Sequence, residues 1–239
     1  MSTFKSDVFE ICGLVAEEFP GWEFKSGQFV NKTLKHSTLI VHLGFGFKQG
    51  TTMVTPSISI DNKRANKLTK QLLGLSRDTS LVNMISIYHL LPNRLEYVSL
   101  VPMIVDDKDA LINFAKRTGT EASGLLSLAE SYDLFLSILK DAIWFIESHY
   151  DLSSEGALLK ALPPKYTTRH EKSPYDQLEM QKGIEYCIVR VLLGDFEFPL
   201  QYQSDDFKTI FPKRIDELAK IIEALPALKD RYAGMGQVI

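Results

Sequence analysis

Cysteine is scarce in this 239-residue sequence. Cys12 and Cys187 are the only two, and they form no C-x-x-C pair. One disulfide between distant helices is possible but unneeded at this size, and the usage fits a reducing compartment. Both cysteines lie in apolar helical patterns, where a free thiol behaves as a small hydrophobe. Long apolar runs are also missing. The nearest, residues 134–146, is interrupted by Lys140 and Asp141, so no membrane-spanning helix is expected. The first residues lack a basic run followed by an apolar core, so no secretory leader is expected. The net charge is only −3, which gives no global field toward nucleic acid or an anionic membrane. These absences together predict a soluble protein of the cytoplasm.

Chemistry-bearing motifs are missing as well. There is no G-x-S-x-G, and no S-x-x-K accompanied by its partner motifs. Gly44, Gly46 and Gly50 do not match the spacing of a phosphate-cradling loop; glycines that let a strand bend or approach another backbone explain them better. His36, His42, His89, His149 and His170 include no i, i+4 pair, so zinc is not expected, although His42 and His89 lie on strands that can meet. Asp106, Asp107 and Asp109 fit a helix start, where acids are favoured, and lack the ligand ladder of a calcium loop. The expectation is a protein that is not an enzyme and holds no metal or organic cofactor.

What is present is pattern. Phe4, Val8, Ile11, Cys12, Val15 and Phe19 form one helical stripe, stopped by Pro20 and Gly21. Strands are expected at residues 28–32, 38–48 and 52–61, with Gln49-Gly50 as a hairpin turn between the last two. Asp61 or Asn62 caps a helix running through Leu73, with Gly74 as its stop. Extended segments are expected at 81–90 and 95–105. Helices then dominate: 106–117, 121–150, 153–162, one from the Ser173-Pro174 start signal to Leu193, and 213–225 before Pro226. The helix around Trp144 is apolar on nearly every side, so it is expected to be central, with Trp144 in the core. The tail past Gly234 is expected to fray.

The fold class predicted is α+β: an N-terminal antiparallel β-meander with flanking helices, followed by a helical C-terminal half. Residues 1–239 read as a single unit, because no Gly/Ser/Pro-rich linker interrupts them. A subdivision into a sheet-containing part, 1–105, and a helical part, 106–239, is the alternative.

Charge is unevenly placed. Residues 22–77 hold nine Lys and Arg against Glu23 and Asp61, a local net of +7, while residues 78–239 hold 24 acids against 17 bases, a net of −7. Lys63, Arg64, Lys67 and Lys70 form a basic stripe on the helix after Asn62, and Lys25, Lys32, Lys35 and Lys48 lie on the strands. Basic residues near Phe29, Phe45 and Phe47 would suit nucleic acid, but the phenylalanines also fit the alternation of a core face. In the acidic part, Asp195, Glu197, Asp205 and Asp206 interleave with Phe196, Phe198 and Tyr202 in a loop-like segment, 194–206. Acids beside aromatics supply steering charge and contact area. The plainer account is that Phe196 and Phe198 pin the loop while the acids are solvated.

Two stretches carry a family resemblance. One is Trp22-Glu23-Phe24-Lys25-Ser26-Gly27-Gln28-Phe29-Val30, running into the strand that holds Leu39 and Phe47. The other is Ala142-Ile143-Trp144-Phe145, followed by Tyr186-Cys187-Ile188-Val189-Arg190-Val191-Leu192-Leu193-Gly194-Asp195-Phe196. With the order helix, meander, helix and helical tail, the chain resembles bacterial immunity proteins, the cognate inhibitors of polymorphic toxins of contact-dependent or type VI systems. The resemblance implies a non-catalytic protein that covers another protein's site. The partner would be a basic toxin domain, and the acidic C-terminal part the recognition face. The alternative is a nucleic-acid-associated or defence-system subunit that uses the basic stripe.

Overall fold

A computed structural model describes residues 3–75, 85–86, 102–118, 124–162, 176–203 and 215–239. Their contacts group into two compact units. One holds 1–59 and 84–148; the other holds 60–83 and 149–239. These boundaries differ from the compositional change at residue 106.

In the first unit, helix α1 (Phe4–Glu17) buries Val8, Cys12, Val15 and Ala16, and the Thr3 hydroxyl accepts from the Ser6 amide as its N-terminal cap. Strands β1 (Trp22–Lys25), β2 (Gln28–Asn31) and β3 (Ser37–His42) pair antiparallel in that order. Strand β1 was not expected from the sequence. It exists because Ser26 (φ 53°) and Gly27 (φ 82°) form a tight reversal with two positive φ angles, the geometry that matches strand twist. The meander continues through β6 (Ser57–Asn62) to β7 (Ile85–Ser86).

The long strands expected at 38–48 and 52–61 are each broken in two. Strands β4 (Gly46–Lys48) and β5 (Thr51–Met53) form the expected Gln49-Gly50 hairpin, but they belong to a second sheet, with order β4-β5-β8-β9. Here β8 is Met103–Val105 and β9 is Leu125–Ser127. The change of sheet occurs at one corner. The Leu43 carbonyl accepts from the Thr55 amide at 2.9 Å, and the Gly44 carbonyl accepts from the Thr55 hydroxyl at 2.9 Å. Gly44 has φ +55°, and a Cβ there would stand 2.5 Å from the Thr55 carbonyl oxygen. Alternation of side chains reports burial, not continuity of a strand, so the corner was legible only in the glycine itself. The β8–β9 pair is parallel, an exception to the otherwise antiparallel plan, and β9 interrupts the stretch expected to be wholly helical.

Helix α3 (Lys108–Thr118) follows β8, and α4 (Leu128–His149) follows β9. A reciprocal cap starts α4: the Glu130 amide donates to the Ser127 hydroxyl at 3.3 Å, and the Ser127 amide donates to the Glu130 carboxylate at 2.7 Å. Leu134, Phe135, Ile138, Leu139, Ala142, Phe145 and Ile146 are buried. Trp144 is not in the core; it is 51% exposed. It stands in phase with the exposed residues Asp133, Ser137, Lys140 and Glu147, so it is the one large apolar member of the helix's outer stripe. Phe4, Phe9, Phe24, Phe29, Phe45, Phe47 and Phe135 meet ring to ring, with centroids 5.1–6.3 Å apart. The phenylalanines of the strands thus serve as a core face.

In the second unit, α2 (Lys63–Leu73) is capped as expected: Asn62 Oδ1 accepts from the Ala65 amide at 2.8 Å, and Gly74 ends the helix at φ 68°. Helix α5 (Glu155–Lys160) starts at Ser154, and α6 (Asp176–Leu192) follows. Next come α7 (Glu197–Tyr202) and α8 (Ile215–Met235). Helix α8 does not stop before Pro226. The proline lies on its exposed side, and buried Ile221, Leu225 and Leu228 carry the apolar stripe past it. The tail is not frayed: Val238 is fully buried, and its carbonyl accepts from Arg231 Nη1 at 3.1 Å. No helix among the described residues is long and apolar enough to cross a membrane.

Candidate protein-binding site

Within the segment expected to be loop-like, Glu197–Tyr202 is a helix. Pro199 is compatible with a helix here because it occupies the first turn of α7, where its missing N–H has no intrahelical acceptor to lose. Asp195 organises the turn. Its Oδ1 accepts from the Phe198 amide at 3.1 Å, and its Oδ2 accepts from Arg190 Nε at 2.9 Å and also from Arg190 Nη2. Asp195 is therefore a structural carboxylate, half-buried and paired.

The aromatics of the segment face inward. Phe196 is 8% exposed and meets Tyr232 edge to face, with centroids 5.7 Å apart. Tyr232 in turn lies against Gly194 (φ +82°), where a Cβ would stand 2.6 Å from the ring. Tyr202 is buried, and its ring edge fills the space that a side chain on Gly183 would need. Phe198 stacks on Tyr202 at 6.0 Å and meets Tyr186 edge-on at 5.2 Å. The Arg190 guanidinium lies over Phe198 at 5.6 Å and Tyr186 at 6.0 Å, a cation–π arrangement.

With Phe196, Pro199 and Tyr202 inward, α7 turns Glu197, Leu200 and Gln201 outward; Leu200 is 43% exposed. Of the interface residues expected from sequence, the structure brings together Asp195, Phe196, Glu197, Phe198 and Tyr202. It assigns Asp195, Phe196 and Tyr202 to the support and Glu197 to the surface. Asp205 and Asp206 lie outside the described residues, as do His89, His170 and the Ser173-Pro174 signal. Sequence reasoning missed Leu200 and the supports Arg190, Tyr186, Gly183 and Tyr232. Only the i, i+5 spacing of Arg190 and Asp195 across Gly194 hinted at the clamp.

The basic segment is divided between the units. Lys25, Lys32, Lys35 and Lys48 belong to the first, where Lys32 Nζ lies 2.9 Å from the Glu23 carboxylate. Lys63, Arg64, Lys67 and Lys70 belong to the second. Arg64 Nη1 donates to Glu155 at 3.0 Å, while Lys63, Lys67 and Lys70 are exposed.

Cys12 and Cys187 are free and buried, and burial pushes both thiols far above their ordinary value. His42 Nε2 lies 2.9 Å from the Ser59 hydroxyl, and burial lowers its pKa. Among the described residues, no group of three or more His, Cys, Asp or Glu side chains is placed to hold a metal ion.

The fold and site define an α+β protein with an outward-facing helix clamped on an aromatic support. No protein-family model, no curated protein and no solved structure matches the chain.

Proposed function

We propose that this chain is a non-catalytic, protein-binding inhibitor of the immunity type. It neutralises a partner protein, a toxin, by covering the partner's site, and it acts in the cytoplasm. The observation that carries this reading is the seating of α7. Arg190, Asp195, Tyr186, Phe198, Tyr202 and Tyr232 immobilise a helical turn whose outer positions are Glu197, Leu200 and Gln201. A rigid display of an acid beside an exposed leucine lowers the ordering cost of association and suits a preformed interface. The acids expected around it, Asp205 and Asp206, would steer a basic toxin domain toward the same segment. The resemblance to immunity proteins, carried by residues 186–196 among others, supports the same assignment.

The test is co-expression with the product of the gene directly upstream. The expected result is that the upstream product alone arrests growth, that this chain restores it, and that the two purify as a stoichiometric complex. Growth arrest that this chain leaves unchanged overturns the assignment.

A further inference from the structure

A different surface of the second unit points to a second kind of partner, independent of the inhibitor reading. Helix α2 has the sequence KRANKLTKQLL and contains four basic residues and no acid. Two of the four, Lys63 and Arg64, open the helix, where the macrodipole disfavours cations. Arg64 donates to Glu155 at 3.0 Å. Lys63, Lys67 and Lys70 are exposed at i, i+4 and i+7 on one face, which concentrates positive charge there. The helix is nevertheless held firmly. Asn62 caps it, Gly74 closes it, and Ala65, Leu68, Thr69 and Leu73 are buried beneath it.

We propose that this lysine face binds the phosphate backbone of a nucleic-acid duplex without reading its sequence. The spacing fits. Positions 63 to 70 span about 10 Å at ~1.5 Å per residue, against one phosphate per ~3.4 Å of axis on each strand. The chemistry of the face separates this partner from two others. The exposed positions of the helix, Lys63, Lys67, Lys70 and Gln71, are all polar. Lysine is depleted in protein interfaces, whose cores need apolar or aromatic anchors, and this face offers none. Single strands are held by bases stacked on aromatic rings, and α2 contains no aromatic residue. Paired phosphates ask only for positioned cations.

The experiment is fluorescence anisotropy of the full chain with labelled 20-base-pair DNA and RNA duplexes of two unrelated sequences. The matching single strands and polyglutamate serve as comparison ligands. The wild type is expected to bind all duplexes alike, with log K falling against log salt at a slope of about −2.7 for three phosphate contacts. The triple variant Lys63→Gln, Lys67→Gln, Lys70→Gln is expected to lose on the order of tenfold or more at low salt and most of that slope. Its circular dichroism and melting should be unchanged, because all three residues are exposed. Three results overturn the proposal: no salt-dependent duplex binding by the wild type, undiminished binding by the folded triple variant, or tighter binding of single strands or polyglutamate than of duplex.

Discussion

The side chain of Asn62 reaches Glu155, 93 residues further along the chain, and donates to its carboxylate from Nδ2 at 2.9 Å. Asn62 is fully buried, and its other amide atom caps α2. One residue therefore caps the start of a helix and ties it to the start of α5, where Glu155 also holds Arg64.

Asn62→Ala removes the cap and the tie together and is expected to cost about 2 kcal/mol in urea unfolding. Asn62→Asp keeps the cap acceptor but sets a second carboxylate against Glu155. It should also destabilise the protein, and a melting temperature equal to wild type would mean that the Glu155 contact contributes nothing.

The placement of Trp144 gives a second expectation. Trp144→Ala should cost about 1 kcal/mol or less, as for an exposed position, whereas Phe135→Ala, fully buried in the same helix, should cost about 3–5 kcal/mol. Trp22 and Trp144 are the only tryptophans. Iodide quenching of a Trp22→Phe variant therefore reports Trp144 directly and should be strong.

Much of this fold was legible in the sequence. The apolar stripe of α1, the Asn62–Gly74 frame of α2 and the Gln49-Gly50 hairpin each declare themselves through local chemistry that tertiary packing does not override. The misreadings share a cause. Trp144 was assigned to the core by residue type, while its phase with Ser137 and Lys140 places it outside. Pro226 is read as a helix stop, yet it stands on an exposed helix side, and the stretch read as loop-like holds a helix with Pro199 in its first turn. The corner at Gly44 depends on Thr55, eleven residues away, and no local pattern encodes that pairing. At the candidate site, the acids and aromatics were legible by type, but their division into support and surface needed the register of a helix.

Gly44→Ala tests the corner. Alanine must adopt φ near +55° and meets the Thr55 carbonyl at a distance no side chain tolerates. The expected loss is about 1–3 kcal/mol, measured by thermal melting. A change under half a kilocalorie per mole would mean that the two sheets do not depend on this junction.

Glu130 provides a pH dependence. Hydrogen bonds from Lys108 and from the Ser127 amide and hydroxyl hold its carboxyl at about 2, below the ordinary value of 4.5. The pKa is lowered on folding, so the contribution is present above about 4.5 and is lost as pH falls toward 2. Glu130→Gln should flatten that part of the stability–pH profile and leave neutral pH little affected. An unchanged acid limb would show that the cap does not titrate with folding.

Charge reversal at two neighbouring acids separates scaffold from surface at α7. Asp195→Lys breaks the Arg190 clamp and removes the acceptor for the Phe198 amide. It is expected to lower stability by about 1–2 kcal/mol, the scale of a lost helix cap. Glu197 is exposed, so Glu197→Lys should melt as the wild type does. Under the inhibitor assignment, Glu197→Lys slows association with the basic partner at low salt, and the difference fades as salt screens the encounter. Leu200→Asp should instead raise the dissociation rate, because it removes contact area while adding steering charge. Stopped-flow association and dissociation rates at two salt concentrations decide the matter. If Glu197→Lys and Leu200→Asp both bind as the wild type does, α7 is a structural cap on the second unit and the partner is held elsewhere.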